Sequence, residues 1–403
     1  MKAAADNVRR RMKLGPAECV AIVWLGYLLG CASSARAADG GFVSLRGFTM
    51  GSTWSAKYRP AAATPPERDV ERVLQARLDT LERQMSTWRA DSDVSRFNAS
   101  ASTNWFPVPR DTAAVVREAL AVSALTDGAF DVTVFPLVEL WGFGPNGKKG
   151  RVPGDPEIAA ALKRVGWRKL EARLDPPAVR KSQADVTVDL SAICPGYASD
   201  SLGELLEACG VRDYLVEVGG EFRARGNGAL GPGWRVGVER AGDIQSPKSN
   251  ATPQRFGEDK DGTASIFVFP RSLGTPSGDS PVGRGGDWKS PARALATTVT
   301  LTNQSLATSG DYRNFFLVNG RRFSHHLDPR TGRPTESAIA SVTVVHPSAT
   351  RADALGTALT VLGFEQAWVL AEREQLAVFF TLRHGDKLEA RATARWPAVA
   401  KVD

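Results

Sequence analysis

The sequence predicts an α+β fold, with mixed sheets and packed helices in a single large domain, and three observations lead there. Strand and helix signals follow one another irregularly, without the strand–helix–strand repeat of a doubly wound sheet. No self-similarity appears at the periods of solenoids or propellers. The composition, 42% hydrophobic and 24% charged over 403 residues, suits a chain that buries a core and not a disordered one.

The first 37 residues read as an export leader outside that domain. Arg9, Arg10, Arg11 and Lys13 precede an apolar run at residues 20–29. That run is shorter than the roughly 20 residues that cross a bilayer. Two endings stay open. Leu28-Leu29-Gly30-Cys31 resembles a bacterial lipobox, which makes Cys31 a lipid-anchored N-terminus, and Ala35-Arg36-Ala37 is a small-x-small site for ordinary cleavage. Either ending places the mature domain, residues 40–395, in the periplasm or on the periplasmic side of the inner membrane.

Within the domain, alternating residues predict strands at 42–48 and 53–58. Val70, Val73, Leu74, Leu78, Leu81 and Met85 recur at helical spacing, so residues 67–85 form a helix. Further helices are expected at 112–126 and 155–165. Strands at 185–190 and 213–218 flank a helix at 196–209. Residues 241–293 are rich in Gly, Ser, Pro, Asp and Lys and read as a low-complexity insertion. Beyond it come a strand at 294–301 and a hairpin, 315–318 with 322–325, around Asn319-Gly320. A strand at 341–345, helices at 352–362 and 365–374, and strands at 376–382 and 387–394 complete the domain.

The formal charge is +7, but part of it belongs to the leader, and no Lys/Arg cluster interleaves with aromatics. Nucleic acid is therefore not an expected partner. Of the four cysteines, Cys19 and Cys31 lie in the leader, while Cys194 and Cys209 read as small core residues.

Four clusters carry chemistry. Thr126-Asp127-Gly128-Ala129-Phe130-Asp131 is a Gly-Ala turn bracketed by acids. Asp189-Leu190-Ser191-Ala192-Ile193-Cys194-Pro195-Gly196 runs from an acid through small residues into a helix start, where amide groups meet phosphate. His325 stands three residues before Asp328-Pro329-Arg330-Thr331-Gly332, and an imidazole can take a hydroxyl proton. Asp353 and Thr357 share a helix face as hard-metal donors suited to Mg²⁺.

In this order, and with Thr49-Met50-Gly51-Ser52, Met85-Ser86-Thr87-Trp88, Val218-Gly219-Gly220-Glu221 and Thr308-Ser309-Gly310-Asp311-Tyr312, the clusters resemble the ApbE family of FAD:protein FMN transferases. The resemblance runs from about Phe48 to Phe364 and implies an ApbE-like, T-fold-related α+β domain. It implies flavin packing by Met50 and Trp88, and FAD contacts from Ala129, Phe130, Asp131, Asp189 and Leu327. A Mg²⁺ site of Ala192 (through its carbonyl), Asp353, Gly356 and Thr357, with His325 as general base, is implied as well. The implied reaction moves FMN from FAD to a Ser/Thr hydroxyl of an acceptor, a membrane-associated redox subunit, and releases AMP. One position departs from the pattern: Pro195 stands where the family carries a lysine that clamps the diphosphate. Arg313, Arg330 or Arg333 are the candidate replacements. Two alternatives follow, a catalytically impaired FAD-binding protein and an FAD pyrophosphatase.

Overall fold

The structure is a computed structural model that describes residues 41–147, 150–239, 295–311, 314–385 and 387–397. The expected leader with Cys31, the expected insertion at 241–293 and Arg313 lie outside the described residues.

Strands β1 (Val43–Thr49) and β2 (Ser52–Arg59) meet at a turn where Met50 and Gly51 have φ of 50° and 69°. Asparagine or glycine usually fills such a left-handed turn. Methionine is held there against a cost of ~1–2 kcal/mol. Helix α1 (Glu67–Met85) follows, burying Val70, Leu74, Leu78, Leu81 and Met85 on one face. Helix α2 (Asp93–Ala99), capped by the Ser92 hydroxyl, leads to β3 (Phe106–Pro107), α3 (Arg110–Leu125), α4 (Phe135–Leu140) and α5 (Asp155–Leu162). Next come β4 (Leu170–Leu174), β5 (Pro177–Lys181), α6 (Cys194–Ala208), β6 (Asp213–Val218), β7 (Glu221–Arg225) and β8 (Trp234–Glu239).

Beyond the insertion lie β9 (Leu295–Leu301), β10 (Ser305–Gly310), β11 (Phe315–Val318), β12 (Arg321–Ser324), β13 (Leu327–Asp328), β14 (Arg333–Pro334) and β15 (Ile339–His346). Helices α7 (Ala349–Leu362) and α8 (Phe364–Arg373) and strands β16 (Ala377–His384) and β17 (Lys387–Ala392) close the chain.

One antiparallel sheet in the order β1-β2-β6-β7-β10-β15-β16-β17 organises these elements. Its two faces follow the period of two in a strand. Tyr214, Val216, Val344 and Phe380 join the core beneath α1, α6 and α7, whereas Leu215, Val345 and Phe379 face the antiparallel β8–β9 pair. A third cluster joins Leu137, Trp141 and Ile158 to Phe316, Phe323 and Leu327. Mixed helices and antiparallel sheets confirm the α+β expectation.

The strand expected at 185–190 is not formed. Val186, Val188 and Leu190 are buried as the alternation predicts, but no neighbouring strand pairs with them. The Asn98 side chain takes the strand's place, donating to the Val188 carbonyl (2.9 Å) and accepting from its N–H (2.7 Å). The Asp189 N–H donates to the Val132 carbonyl at 2.8 Å. Buried backbone groups need partners, and a side-chain amide supplies them as well as a ladder does.

Candidate functional site

A cleft of ≈ 230 Å³ opens where the β1–β2 turn, the start of α6, the middle of α7, the end of β10 and the segment after β12 come together. Eleven of the thirteen residues singled out from the sequence line it: Met50, Ala129, Phe130, Asp131, Asp189, Ala192, Pro195, His325, Leu327, Asp353 and Thr357. Trp88 does not; it lies on the loop after α1 and is half exposed. Gly356 sits one turn behind the wall, packed so closely on β10 that a Cβ there would come within 2.9 Å of Ser309 Oγ.

The His325 ring is oriented by the backbone. Its Nδ1 lies 2.9 Å from the Asn314 carbonyl oxygen, which can only accept, so Nδ1 carries the hydrogen. In the neutral ring the lone pair is then on Nε2, the tautomer a general base requires. His326, buried beside it with ring centroids 4.1 Å apart, also lines the cleft, with Nδ1 3.2 Å from Ser324 Oγ.

The acids divide by role. Asp131 serves the fold: it accepts from Thr133 N–H (2.8 Å), Thr133 Oγ1 (2.7 Å) and Trp167 N–H (2.7 Å). Burial nonetheless holds its carboxyl above the ordinary range. Asp189 accepts from the Ser191 N–H at 2.9 Å, which shapes the turn into α6. Asp353 accepts from the Gly196 N–H at 3.0 Å and so ties α7 to the first turn of α6. Thr357, one turn further along α7, lies 3.4 Å from Ser309, Oγ1 to Oγ.

The start of α6 does not offer the amides expected of it. Ile193 and Cys194 N–H donate to Leu190, Gly196 N–H to Asp353 and Tyr197 N–H to Ile193, and Pro195 has none. Positive side chains are also missing: among the described residues, the lining holds Asp131, Asp189, Glu221 and Asp353 but no lysine or arginine. Arg330 is spent on both oxygens of Asp328 (2.9 Å each), and Arg333 pairs with Asp155. Such a lining suits a bound cation.

The donors for such a cation are hard. Asp353, Thr357 and Ala192 line the same cleft, with carboxylate, hydroxyl and carbonyl oxygens to offer, and among the described residues no group of three His, Cys, Asp or Glu is placed to hold a metal. One carboxylate plus neutral oxygens fits Mg²⁺, which keeps waters and takes substrate phosphates as ligands, and does not fit a softer metal. A second sign of an incoming ligand is Thr49, whose Oγ1 is buried in the cleft wall without a partner.

Two supporting residues escaped sequence reasoning. Asp200, on α6, accepts from Ser348 Oγ (2.9 Å), Ala349 N–H (3.0 Å), Thr350 N–H (3.0 Å) and Thr350 Oγ1 (2.7 Å), so it anchors the Ser348-capped start of the helix that carries Asp353 and Thr357. Arg223 donates to it at 3.1 Å from β7. Asn314 acts through its carbonyl, which any residue type has, so no sequence signal marks it.

Fold and site together define a single-domain α+β enzyme whose cleft joins an oriented histidine to the oxygen donors of Asp353 and Thr357. The chain belongs to the ApbE family, whose model matches residues 50–257 and 279–380. It is 33% identical over 375 residues to the FAD:protein FMN transferase of Vibrio cholerae, covering 93% of this chain and 96% of the relative. It is 34% identical over 347 residues to that of Escherichia coli K12, with 86% and 85% covered. Among solved structures it resembles the apo flavinyl transferase ApbE of Pseudomonas stutzeri, with a TM-score of 0.70 and 35% identity over 88% of this chain and 95% of the other. The ApbE flavin transferase of Vibrio cholerae superposes with a TM-score of 0.71 and 32% identity, over 88% and 98%.

Proposed function

We propose that this chain is a Mg²⁺-dependent FAD:protein FMN transferase, which joins FMN to a Ser or Thr hydroxyl of an acceptor protein and releases AMP. The relatives' names supply the reaction class. The observation that carries the mechanism is the meeting of the oriented His325 and the Asp353–Thr357 pair in one cleft. A cleft of ≈ 230 Å³ lies below the ~300–1,000 Å³ of typical ligand pockets, so it encloses only part of a dinucleotide. Met50, Phe130 and Leu327 offer apolar surface for the flavin end.

His325 Nε2 takes the proton of the acceptor hydroxyl. The freed oxygen attacks the FMN-side phosphorus, the bond from that phosphorus to the bridging oxygen breaks, and AMP leaves with the electron pair. Ala192, Asp353 and Thr357 would hold Mg²⁺, which supplies charge neutralisation for the diphosphate and for the departing AMP. Gly356 lets α7 approach β10 closely enough to set Thr357 beside Ser309. Trp88, exposed on its loop, is available to stack on flavin protruding from the cleft.

The proposed setting is the periplasm, with the leader either cleaved or anchored through Cys31, and the proposed acceptor is a membrane-associated redox subunit with a Ser/Thr motif. Incubation with FAD, Mg²⁺ and such an acceptor domain tests this: the acceptor gains the mass of FMN, and His325→Ala removes the gain. Pro195, in a cleft whose described lining has no lysine or arginine, favours a second reading, a catalytically impaired FAD-binding protein. Tight FAD binding with no mass gain establishes that reading. FMN and AMP released without covalent flavin establishes a pyrophosphatase.

A further inference from the structure

Cys194 and Met85, buried behind the cleft, bring their sulfur atoms close to that of Met50 in its wall. Cys194 Sγ lies 3.7 Å from Met85 Sδ and 4.0 Å from Met50 Sδ. Cys194 and Met85 are buried, while Met50 lines the cleft. The chain has four methionines, and Met1 and Met12 precede the domain. Both domain methionines therefore converge on one cysteine. Met50 does so from a left-handed backbone position, where a methionine is disfavoured and where its N–H donates to the Glu82 carboxylate at 3.3 Å.

The separations carry chemical meaning. Three sulfurs bonded at ~2.3 Å to a central ion in a trigonal plane stand ~4 Å from one another. Thiolate and thioether donors are soft and select Cu(I) over the hard cations that suit Asp353 and Thr357. We propose that Cys194, Met50 and Met85 form a binding site for a soft monovalent cation of the Cu(I) class. The Cys194 thiol loses its proton to solvent as the sulfur–metal bond forms, the two thioethers complete the coordination, and the metal does not change oxidation state. Replacing either methionine by leucine conserves volume, and Cys194→Ala removes a single buried atom, so these variants keep the packing.

The test is an anaerobic Cu(I) titration of the full chain against a chromophoric Cu(I) chelator. The wild type is expected to retain one more equivalent than Cys194→Ala, and Cys209→Ala to retain as much as the wild type. Met85→Leu and Met50→Leu each weaken that equivalent by tenfold or more, and X-ray absorption of the loaded protein shows three sulfur neighbours. Equal retention by wild type and Cys194→Ala overturns the proposal. So does wild-type affinity in both methionine variants, which would mean a simple thiol adduct. Metal content is read without FAD or acceptor, so the result stands apart from the transferase reading.

Discussion

The Asp200 carboxylate receives four donors from the first turn of α7 and one from Arg223, and its loss is a sharp test of how the cation site is held. In Asp200→Ala the Ser348 N-cap still accepts from Arg351 N–H, but its hydroxyl loses the carboxylate it donates to, at ~1 kcal/mol. The Ala349 and Thr350 amides lose their carboxylate partner in a buried setting, at ~1–3 kcal/mol each. Arg223 keeps Glu207 at 3.3 Å and the Tyr214 hydroxyl at 3.0 Å, so its charge is not stranded. The sum is a loss of ~3–7 kcal/mol in folding stability. Asp200→Asn keeps the shape and one acceptor oxygen but turns an NH₂ toward the other donors, and about 2 kcal/mol is expected. Asp353 lies one turn beyond the cap, so the Mg²⁺ concentration for half-maximal FMN transfer also rises, by about tenfold in Asp200→Asn. Urea denaturation and a Mg²⁺ titration of the transfer assay measure the two effects. A stability loss below about 0.5 kcal/mol in Asp200→Ala would refute the anchoring role.

Asp353→Asn removes the one carboxylate of the cation donor set while retaining an acceptor for Gly196 N–H; transfer is expected to fall at least 100-fold, with partial recovery at high Mg²⁺. Pro195→Lys restores a point charge at a helix first turn, where proline was tolerated and is not required, so FAD binds at least tenfold more tightly with little change in melting temperature. Burial lowers the His346 pKa, so the neutral ring's contribution to stability is fully present above about pH 6.5 and is lost as pH falls through the folded value. His346→Gln is therefore expected to flatten the acid side of the stability curve, measured as urea midpoints at pH 5 and 7.5; an unchanged slope contradicts the assignment.

Local chemistry alone determined much of this protein. Helix α1 was legible because its apolar residues recur at 3.6-residue spacing, and the β11–β12 hairpin because Asn319-Gly320 adopts φ of 50° and 76°, values that few other pairs tolerate. His325 stood out as one of four histidines set before an Asp-Pro turn, and Asp353 and Thr357 because their spacing of four puts two oxygen donors on one helix face. What only the tertiary structure decided involves partners far apart in the chain. Residues 185–190 alternate like a strand, yet Asn98, 90 residues from Val188, takes the ladder's place. The amides at the start of α6 read as open phosphate donors, but Leu190, Ile193 and Asp353 already use them. Asp200 looks like any helical acid until β7 and α7 fold against it. Periodicity records which face of an element is buried, whereas a hydrogen-bond partner is set by where the backbone returns, and that depends on the whole sheet.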